Sequence, residues 1–126
     1  MKRPVTRGLA MLAGAALGAI AMHGLHAQSS PPAFAVGELE VTDAAGYAPI
    51  AAILTAENKK AGAKLVVQAG RVEVVEGAAP KRVVISQWRS MDDAKKFYSS
   101  AVVRKAFEDR KKFTNARLYI VEGLPN

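Results

Sequence analysis

The stretch KRVVISQWRSMDDAKKFY, residues 81–98, decides the fold, because it predicts a strand that turns directly into a helix. Val83–Ile85 are β-branched and Trp88 closes the run, which is typical of a strand packed on both faces. Ser90 follows as a predicted N-cap, and Asp93 three residues later completes a capping-box pattern. The apolar residues after it recur at helical spacing. The remaining elements can be arranged around this β-to-α corner.

The flanking segments predict further strands and helices on either side of the corner. Pro49 is acceptable in the first turn of a helix, and Ala69-Gly70 is interpreted as the turn of a hairpin. The expected elements are strands at 34–41, 64–68, 71–75 and 117–122, and helices at 48–61 and 101–113. The order β-α-β-(β)-β-α-β predicts an α+β, ferredoxin-like fold with an antiparallel sheet and helices on one face.

The other face of this sheet is predicted to be too apolar to face water. The strand at 34–41 is predicted to alternate, with its odd-numbered residues toward the helices and its even-numbered residues on this other face. This face is expected to carry Phe34, Val36, Trp88 and Tyr119. A second copy that packs sheet against sheet would cover these side chains. The sequence therefore predicts a homodimer in which the two sheets face each other.

The N-terminus has the layout of a secretory signal peptide. Lys2, Arg3 and Arg7 precede an uncharged apolar run at 8–22, and Ala27 offers a small residue for cleavage. The run is short for a spanning helix, which needs about 20 residues. An uncleaved membrane anchor and a cytoplasmic helix stay as alternatives. The expected organisation is a signal peptide at 1–27, a linker at 28–33 and a single domain at 34–123. This organisation predicts an exported protein, periplasmic or secreted.

Removal of residues 1–27 would leave a chain without His or Cys, since His23 and His26 are its only histidines. Ser-His-Asp and Cys-His sites are then excluded, as are His- or Cys-ligated metals, and no cofactor is expected. The net charge would fall from +7 to +4, with 15 Lys and Arg against 11 Asp and Glu. This mild charge requires no nucleic-acid partner. The basic stretch at 104–112 could meet an anionic ligand, but a solvated helix face is the simpler interpretation.

Candidate ligand-binding residues are a strand carboxylate and several aromatic side chains. A buried Glu38 with a raised pKa would act as an acid or base, whereas an exposed or Arg-paired Glu38 would be structural. Tyr47, Trp88, Tyr98 and Tyr119 offer stacking faces and polar tips that could ring a pocket. The alternative is that these rings pack in the core or in a dimer interface.

The mature domain resembles the family called domain of unknown function 1330, in the dimeric α/β-barrel superfamily. The resemblance is carried by GELEVTD at 37–43 with Tyr47, GRVEVVEG at 70–77, VVISQWRS at 83–90, AKKFYS at 94–99 and LYIVEG at 118–123. It implies a ferredoxin-like protomer and a homodimer with a barrel between the sheets, and it is nearly silent on activity.

Two segments depart from the pattern of these relatives. The relatives tend to have Arg-Gly-Gly at the hairpin, where this chain has Gln68 followed by Ala69-Gly70. They tend to have Ser-Pro-Glu-Tyr where this chain has Ser99–Val102. Gln68 is added to the candidate ligand-binding residues, although a ligand contacted at these positions in relatives need not be shared.

Three functions are compatible with the sequence. The first hypothesis is an exported homodimer that binds a small molecule in a cleft beside or between the sheets. A cofactor-independent enzyme, monooxygenase- or isomerase-like, would have to use Glu, Tyr, Arg or Gln, and it rests on fold analogy. A membrane-anchored structural or interaction module is the third. A buried carboxylate beside Tyr or Arg in a closed cavity would favour the enzyme. A solidly packed sheet face would favour the structural or interaction module.

Overall fold

The computed structural model describes residues 30–126, which form one four-stranded antiparallel sheet and three helices. The elements are β1 (Ala33–Val41), α1 (Ala44–Lys60), β2 (Lys64–Gln68), β3 (Val83–Trp88), α2 (Met91–Tyr98), α3 (Ala101–Arg110) and β4 (Thr114–Glu122). The strand order β2-β3-β1-β4 places β1 and β3 at the centre. This arrangement confirms the predicted α+β, ferredoxin-like fold. The predicted signal peptide lies outside the described residues.

None of the helices between residues 30 and 126 has the length and apolar character that a membrane span requires.

The β-to-α corner between β3 and α2 forms as the sequence predicts. The Ser90 side chain accepts a hydrogen bond from the Asp93 backbone N–H at 3.1 Å, which satisfies a free donor of the first turn. The Asp93 carboxylate accepts a second bond from the Arg89 Nε at 2.9 Å. The chain therefore reverses from sheet to helix within two residues.

The core lies between the helices and one face of the sheet. Ala33 and Ala35 of β1 are buried there, and their small side chains let the helix layer approach the central strand. Phe97 of α2 and Val103 of α3 complete this core. The alternation predicted for β1 is confirmed, with the even-numbered residues on the opposite face.

Trp88 corrects one expectation about the sheet. It was expected on the face away from the helices, but it is only 4% exposed in the core on the helix side. The register explains this position, because Trp88 pairs with the buried Ala33. Its indole Nε1 donates to the Ser86 hydroxyl at 3.1 Å, and its ring lies 4.7 Å from that of Phe97.

Helix α1 begins at Ala44, four residues before the expected start. The Asp43 carboxylate caps it by accepting a hydrogen bond from the Gly46 N–H at 3.0 Å. Pro49 therefore lies inside the helix and not in its first turn. Pro49 has no N–H to donate to the carbonyl of residue 45, but residue 45 is exposed and its carbonyl can bond to water. Together with the Asp43 cap, this lets the helix start before the proline.

The predicted hairpin strand at 71–75 is wrong. Residues 71–82 form an irregular connection with no helix or strand in this part of the described chain, and β2 pairs directly with β3. Ala69 has a positive φ of 52°, and its N–H bonds to the Val83 carbonyl at 2.9 Å. The chain thus leaves the sheet immediately after Gln68. The valines that resembled a strand are exposed, Val75 almost completely.

The face of the sheet away from the helices, called here the outer face, has an apolar centre. Val36 of β1 pairs with Ile85 of β3 and Tyr119 of β4 in the strand register. Tyr119 is 46% exposed. Glu38 and Arg117 form an ion pair toward one margin. The apolar centre is therefore accessible in the protomer.

Candidate functional site

A partly enclosed cavity of about 410 Å³, called here the helix–sheet cavity, lies between α1, α3 and the helix-facing side of the sheet. Its floor is formed by Ala35 and Gly37, the smallest residues of β1, which leave space beneath the helices. Leu54 of α1 and Phe107 of α3 close it from above. The cavity thus follows directly from the use of small residues in the central strand.

Three residues that line this cavity each carry a buried polar atom with no hydrogen-bond partner within the described chain. The atoms are the Asn58 Oδ1, the Arg82 Nε and the Arg110 Nε. The other end of the Asn58 amide donates to the Leu54 carbonyl at 2.8 Å. Because buried polar groups in folded proteins are nearly always paired, three such atoms around one cavity mark it as a place where a ligand or water completes the bonding.

Tyr98 presents its ring and hydroxyl to the same cavity from the end of α2. Burial raises the pKa of its phenol, while the Ser86 hydroxyl and the Arg110 charge act in the opposite direction. Its ring packs edge-on against Phe97 at 4.9 Å and lies 5.7 Å from Phe107. Tyr98 therefore has a fixed position and a protonated hydroxyl at neutral pH.

Arg110 lies in the last turn of α3, where its guanidinium carbon is 4.2 Å from the centre of the Phe107 ring. Burial lowers the pKa of the Arg110 guanidinium, and the nearby Tyr47 and Tyr98 oppose this effect. The Thr114 hydroxyl donates to the Arg110 carbonyl at 3.0 Å, which holds this end of the helix. The packing presents a positive charge to the cavity on a rigid support.

The structure brings together three of the six sequence-predicted site residues. Tyr47, Gln68 and Tyr98 line the helix–sheet cavity. Trp88 lies in the adjoining core with its Nε1 bonded to the Ser86 hydroxyl. Ligand binding by these residues stays a prediction.

The other two predicted site residues lie on the outer face. Glu38 forms an ion pair with Arg117, which matches the structural alternative given for this carboxylate. Tyr119 lies within 5.7 Å of the same Arg117 guanidinium, measured to its ring centre. The sheet separates both from the cavity, so the six residues do not form one site.

Sequence reasoning missed Asn58, Arg82 and Arg110. Neither Asn58 nor Arg82 was among the predicted site residues, and Arg110 was interpreted as part of a solvated basic helix face. Two signals could have located the arginines. Arg82 directly precedes β3 and continues its period-two alternation on the side of Ser86, and Arg110 follows Phe107 by three residues on one helix face.

A second depression, of about 1010 Å³, lies between α3 and β4 and is more open to solvent. Several charged side chains lie on its rim, and two of them, Lys105 and Asp109, are paired to each other at 3.0 Å. Such groups are satisfied by each other and by water, so the smaller helix–sheet cavity is the stronger candidate site.

No group of three or more His, Cys, Asp or Glu that could hold a metal ion occurs among residues 30–126.

Comparisons with known proteins agree on the fold. A family model described as "Domain of unknown function (DUF1330)" matches residues 32–124. None of the curated proteins matches this chain.

Among solved structures, a protein of unknown function from Rhodopseudomonas palustris is similar with a TM-score of 0.62 and 17% identity, over 82% of this chain and 92% of that one. A candidate antibiotic biosynthesis monooxygenase from Caulobacter crescentus has a TM-score of 0.57 and 18% identity, over 81% of this chain and 98% of that one. A point mutant of SnoaB, a cofactor-independent oxygenase from Streptomyces nogalater, has a TM-score of 0.50 and 10% identity, over 75% of this chain and 94% of that one. At these identities the likeness establishes the fold alone.

Proposed function

The chain belongs to the family described as domain of unknown function DUF1330, and we propose that it binds a small organic molecule in the helix–sheet cavity. The observation that carries this proposal is the convergence of three unpaired buried polar atoms, on Asn58, Arg82 and Arg110, around one cavity. Each buried donor or acceptor left unpaired costs about 1–3 kcal/mol. A ligand whose polar end reaches these atoms after a small adjustment of the side chains would recover this free energy when it binds.

The size and composition of the cavity support the same function. Its volume of about 410 Å³ lies within the range of roughly 300–1,000 Å³ found for small-molecule sites. Apolar atoms form most of the wall, and polar side chains are distributed among them. This site lies beneath the helices, whereas the sequence predicted a cleft beside or between the sheets.

We place this binding domain in an exported homodimer. The outer face supports the dimer, because Val36, Ile85 and Tyr119 form an apolar centre that a second sheet would cover. The signal-like pattern at 1–27 supports export to the periplasm or beyond. Intact-mass measurement of the exported protein is expected to give Gln28 as its first residue, and retention of Met1 would contradict cleavage.

A cofactor-independent enzyme is the second candidate function, and Tyr98 is the specific observation that favours it. Its hydroxyl faces the cavity in the company of Arg110, so both could hold an oxyanion that develops on a substrate. Similar folds occur in the oxygenase from S. nogalater and the candidate monooxygenase from C. crescentus. Oxygen uptake with simple phenols that is lost in Tyr98→Phe would support turnover, and uptake equal to that of buffer would exclude it for this substrate class.

A substitution in α1 that fills the cavity tests whether the protein binds a ligand there. Ala51 of α1 lines the cavity, whereas the neighbouring Ala52 is exposed on the same helix. Ala51→Phe is expected to abolish the fluorescence enhancement of the hydrophobic dyes 1-anilinonaphthalene-8-sulfonate and N-phenyl-1-naphthylamine, because its ring occupies their volume. Ala52→Phe is the matched control and is expected to bind as the wild type does.

Both variants must keep the wild-type circular dichroism spectrum for this comparison. Equal dye binding by Ala51→Phe and the wild type would place the binding site elsewhere. Absence of binding of both dyes to the wild type would also overturn the proposal.

A further inference from the structure

Resting on the proposed function, we infer that the ligand of the helix–sheet cavity is an organic anion. Its negatively charged oxygen group, a carboxylate or an enolate, binds Arg82 and Arg110, and its apolar body fills the remainder of the cavity.

The charges around the cavity have one sign. Arg82, Arg110 and Lys59 contribute to its wall, and none of the described Asp or Glu residues does. All five ion pairs of the described chain are formed by other cations, so neither arginine is neutralised by a carboxylate there. A half-buried positive charge without a counter-ion is costly, and an anionic ligand would remove this cost.

The unpaired atoms of the two arginines are donors in the geometry that carboxylates require. A guanidinium presents its Nε–H beside a terminal N–H, and this edge binds the two oxygens of a carboxylate in parallel. The Nε of Arg82 and the Nε of Arg110 both lack a protein acceptor within residues 30–126. Asn58 differs, since its free Oδ1 is an acceptor and requires a hydroxyl of the ligand or a water molecule as donor.

Burial also shifts the pKa values of two side chains at the cavity, and an anionic ligand fits both shifts. It lowers the pKa of Arg110 and raises the pKa of Tyr98, so each group is desolvated toward its neutral form. The protonated Tyr98 hydroxyl can then donate to an anion beside Arg110. A bound negative charge would stabilise the charged guanidinium and keep the phenol protonated.

A further part of the wall is apolar and accepts a hydrocarbon or aromatic body. Its members come from the sheet and from both helices that flank the cavity: Leu39, Leu54, Leu65, Val84, Phe107 and Leu118. A small inorganic anion would leave this surface without contacts, so the ligand combines an anionic end with an apolar end.

Two dyes of one skeleton test the sign of the charge. 1-Anilinonaphthalene-8-sulfonate is N-phenyl-1-naphthylamine with an added sulfonate, so the pair isolates the effect of the anion. We expect the sulfonate dye to bind about 10-fold or more tightly than the neutral dye, as charge-assisted hydrogen bonds from two guanidinium groups predict. 1-Naphthoate is expected to displace it, whereas the neutral 1-naphthylmethanol displaces it poorly.

Single substitutions then assign the effect to the arginines. Arg82→Gln and Arg110→Gln are each expected to weaken binding of the sulfonate dye about 5-fold or more, because each removes one charged donor. Binding of the neutral dye is expected to weaken less than about 2-fold. Arg71→Gln, in the exposed connection after β2, is the matched control and should change neither affinity. Arg110 also packs on Phe107, so Arg82→Gln keeps the test valid if the Arg110 variant loses its fold.

The outcomes separate this inference from the function it rests on. Equal affinities for the two dyes, with both lost in Ala51→Phe, would retain the binding function and overturn the anion. A preference for the sulfonate dye that Arg71→Gln reduces as strongly as Arg82→Gln would also overturn it, since surface charge would then be the cause. Dye binding unaffected by Ala51→Phe would overturn both.

Discussion

Replacement of Gly46 by alanine tests how closely the start of α1 packs against the end of α3. A β-carbon at Gly46 would lie 3.0 Å from the Phe113 Cγ and closer still to two other atoms of that ring. The ring must therefore move, and overpacking of this kind costs about 1–3 kcal/mol. Alanine recovers up to about 1 kcal/mol through its higher helix propensity.

The net expectation for Gly46→Ala is a loss of about 0–3 kcal/mol in the free energy of unfolding. For a domain of this size, 1 kcal/mol corresponds to a fall of about 4–8 °C in the melting temperature. The assay is thermal and urea unfolding monitored by circular dichroism. Gly70→Ala is the control, because a β-carbon at that glycine meets no atom within 4 Å.

A double-mutant cycle with Phe113→Ala isolates the clash. Without the ring, Gly46→Ala should become neutral or stabilising, which gives a coupling energy of about 1–3 kcal/mol between the two positions. A loss of stability from Gly46→Ala that is the same in both backgrounds would refute the reasoning. The cause would then be a local effect at the Asp43 cap and not contact with Phe113.

Two further predictions concern the site and the dimer. Burial raises the folded-state pKa of Tyr98 above its ordinary value of 10.0, so the stability that the protonated phenol contributes is complete below about pH 10 and is lost as the pH rises through the folded pKa. Above this pH, the free energy of unfolding should therefore fall less steeply in Tyr98→Phe than in the wild type. Superimposable curves of stability against pH for the two proteins would contradict the burial of Tyr98. Val36→Lys places a charge between Ile85 and Tyr119 on the outer face, so sedimentation of this variant should show monomers, and its melting temperature should stay near that of the wild type. The control Ala52→Lys should stay dimeric. A Val36→Lys variant that is still dimeric would exclude this face as the interface.

The parts of the fold that the sequence predicts well depend on neighbouring residues. The corner from β3 to α2 was predicted because Ser90 and Asp93 carry a local capping signal, and the structure forms that cap at 3.1 Å. The alternation of β1 was equally local, since small and buried residues fall on one side of the strand. These signals need no knowledge of distant parts of the chain.

The errors arise where distant contacts decide. Residues 71–75 have the composition of a strand and were expected to pair with β2, but Ala69 adopts a positive φ of 52° and the chain leaves the sheet there, so the outer edge of β2 stays unpaired in the described chain. Trp88 was placed on the wrong face because an aromatic residue suits either side of a sheet, and only its pairing with Ala33 decides. Neither fact can be read from the local pattern.

The candidate site was half predicted for the same reason. Tyr47, Gln68 and Tyr98 were chosen for their chemistry and do line one cavity. The cavity is created by the packing of α1 and α3 over β1, so Arg82 and Arg110 come to line the same cavity only in the folded chain. Their charges looked like ordinary surface charges because the sequence does not show which of them lose water on folding.

Gly37 has a consequence for how this fold can diverge. A methyl group there would meet the Leu118 Cδ1 at 3.5 Å and the Val84 carbonyl oxygen at 3.7 Å, which are ordinary contact distances. Larger side chains at this one strand position would shorten the molecule that the protein can admit while the helices keep their places. Related chains could therefore change the length of the ligand proposed here by substitutions at a single residue, and the guanidinium groups proposed to hold its charged end would be untouched.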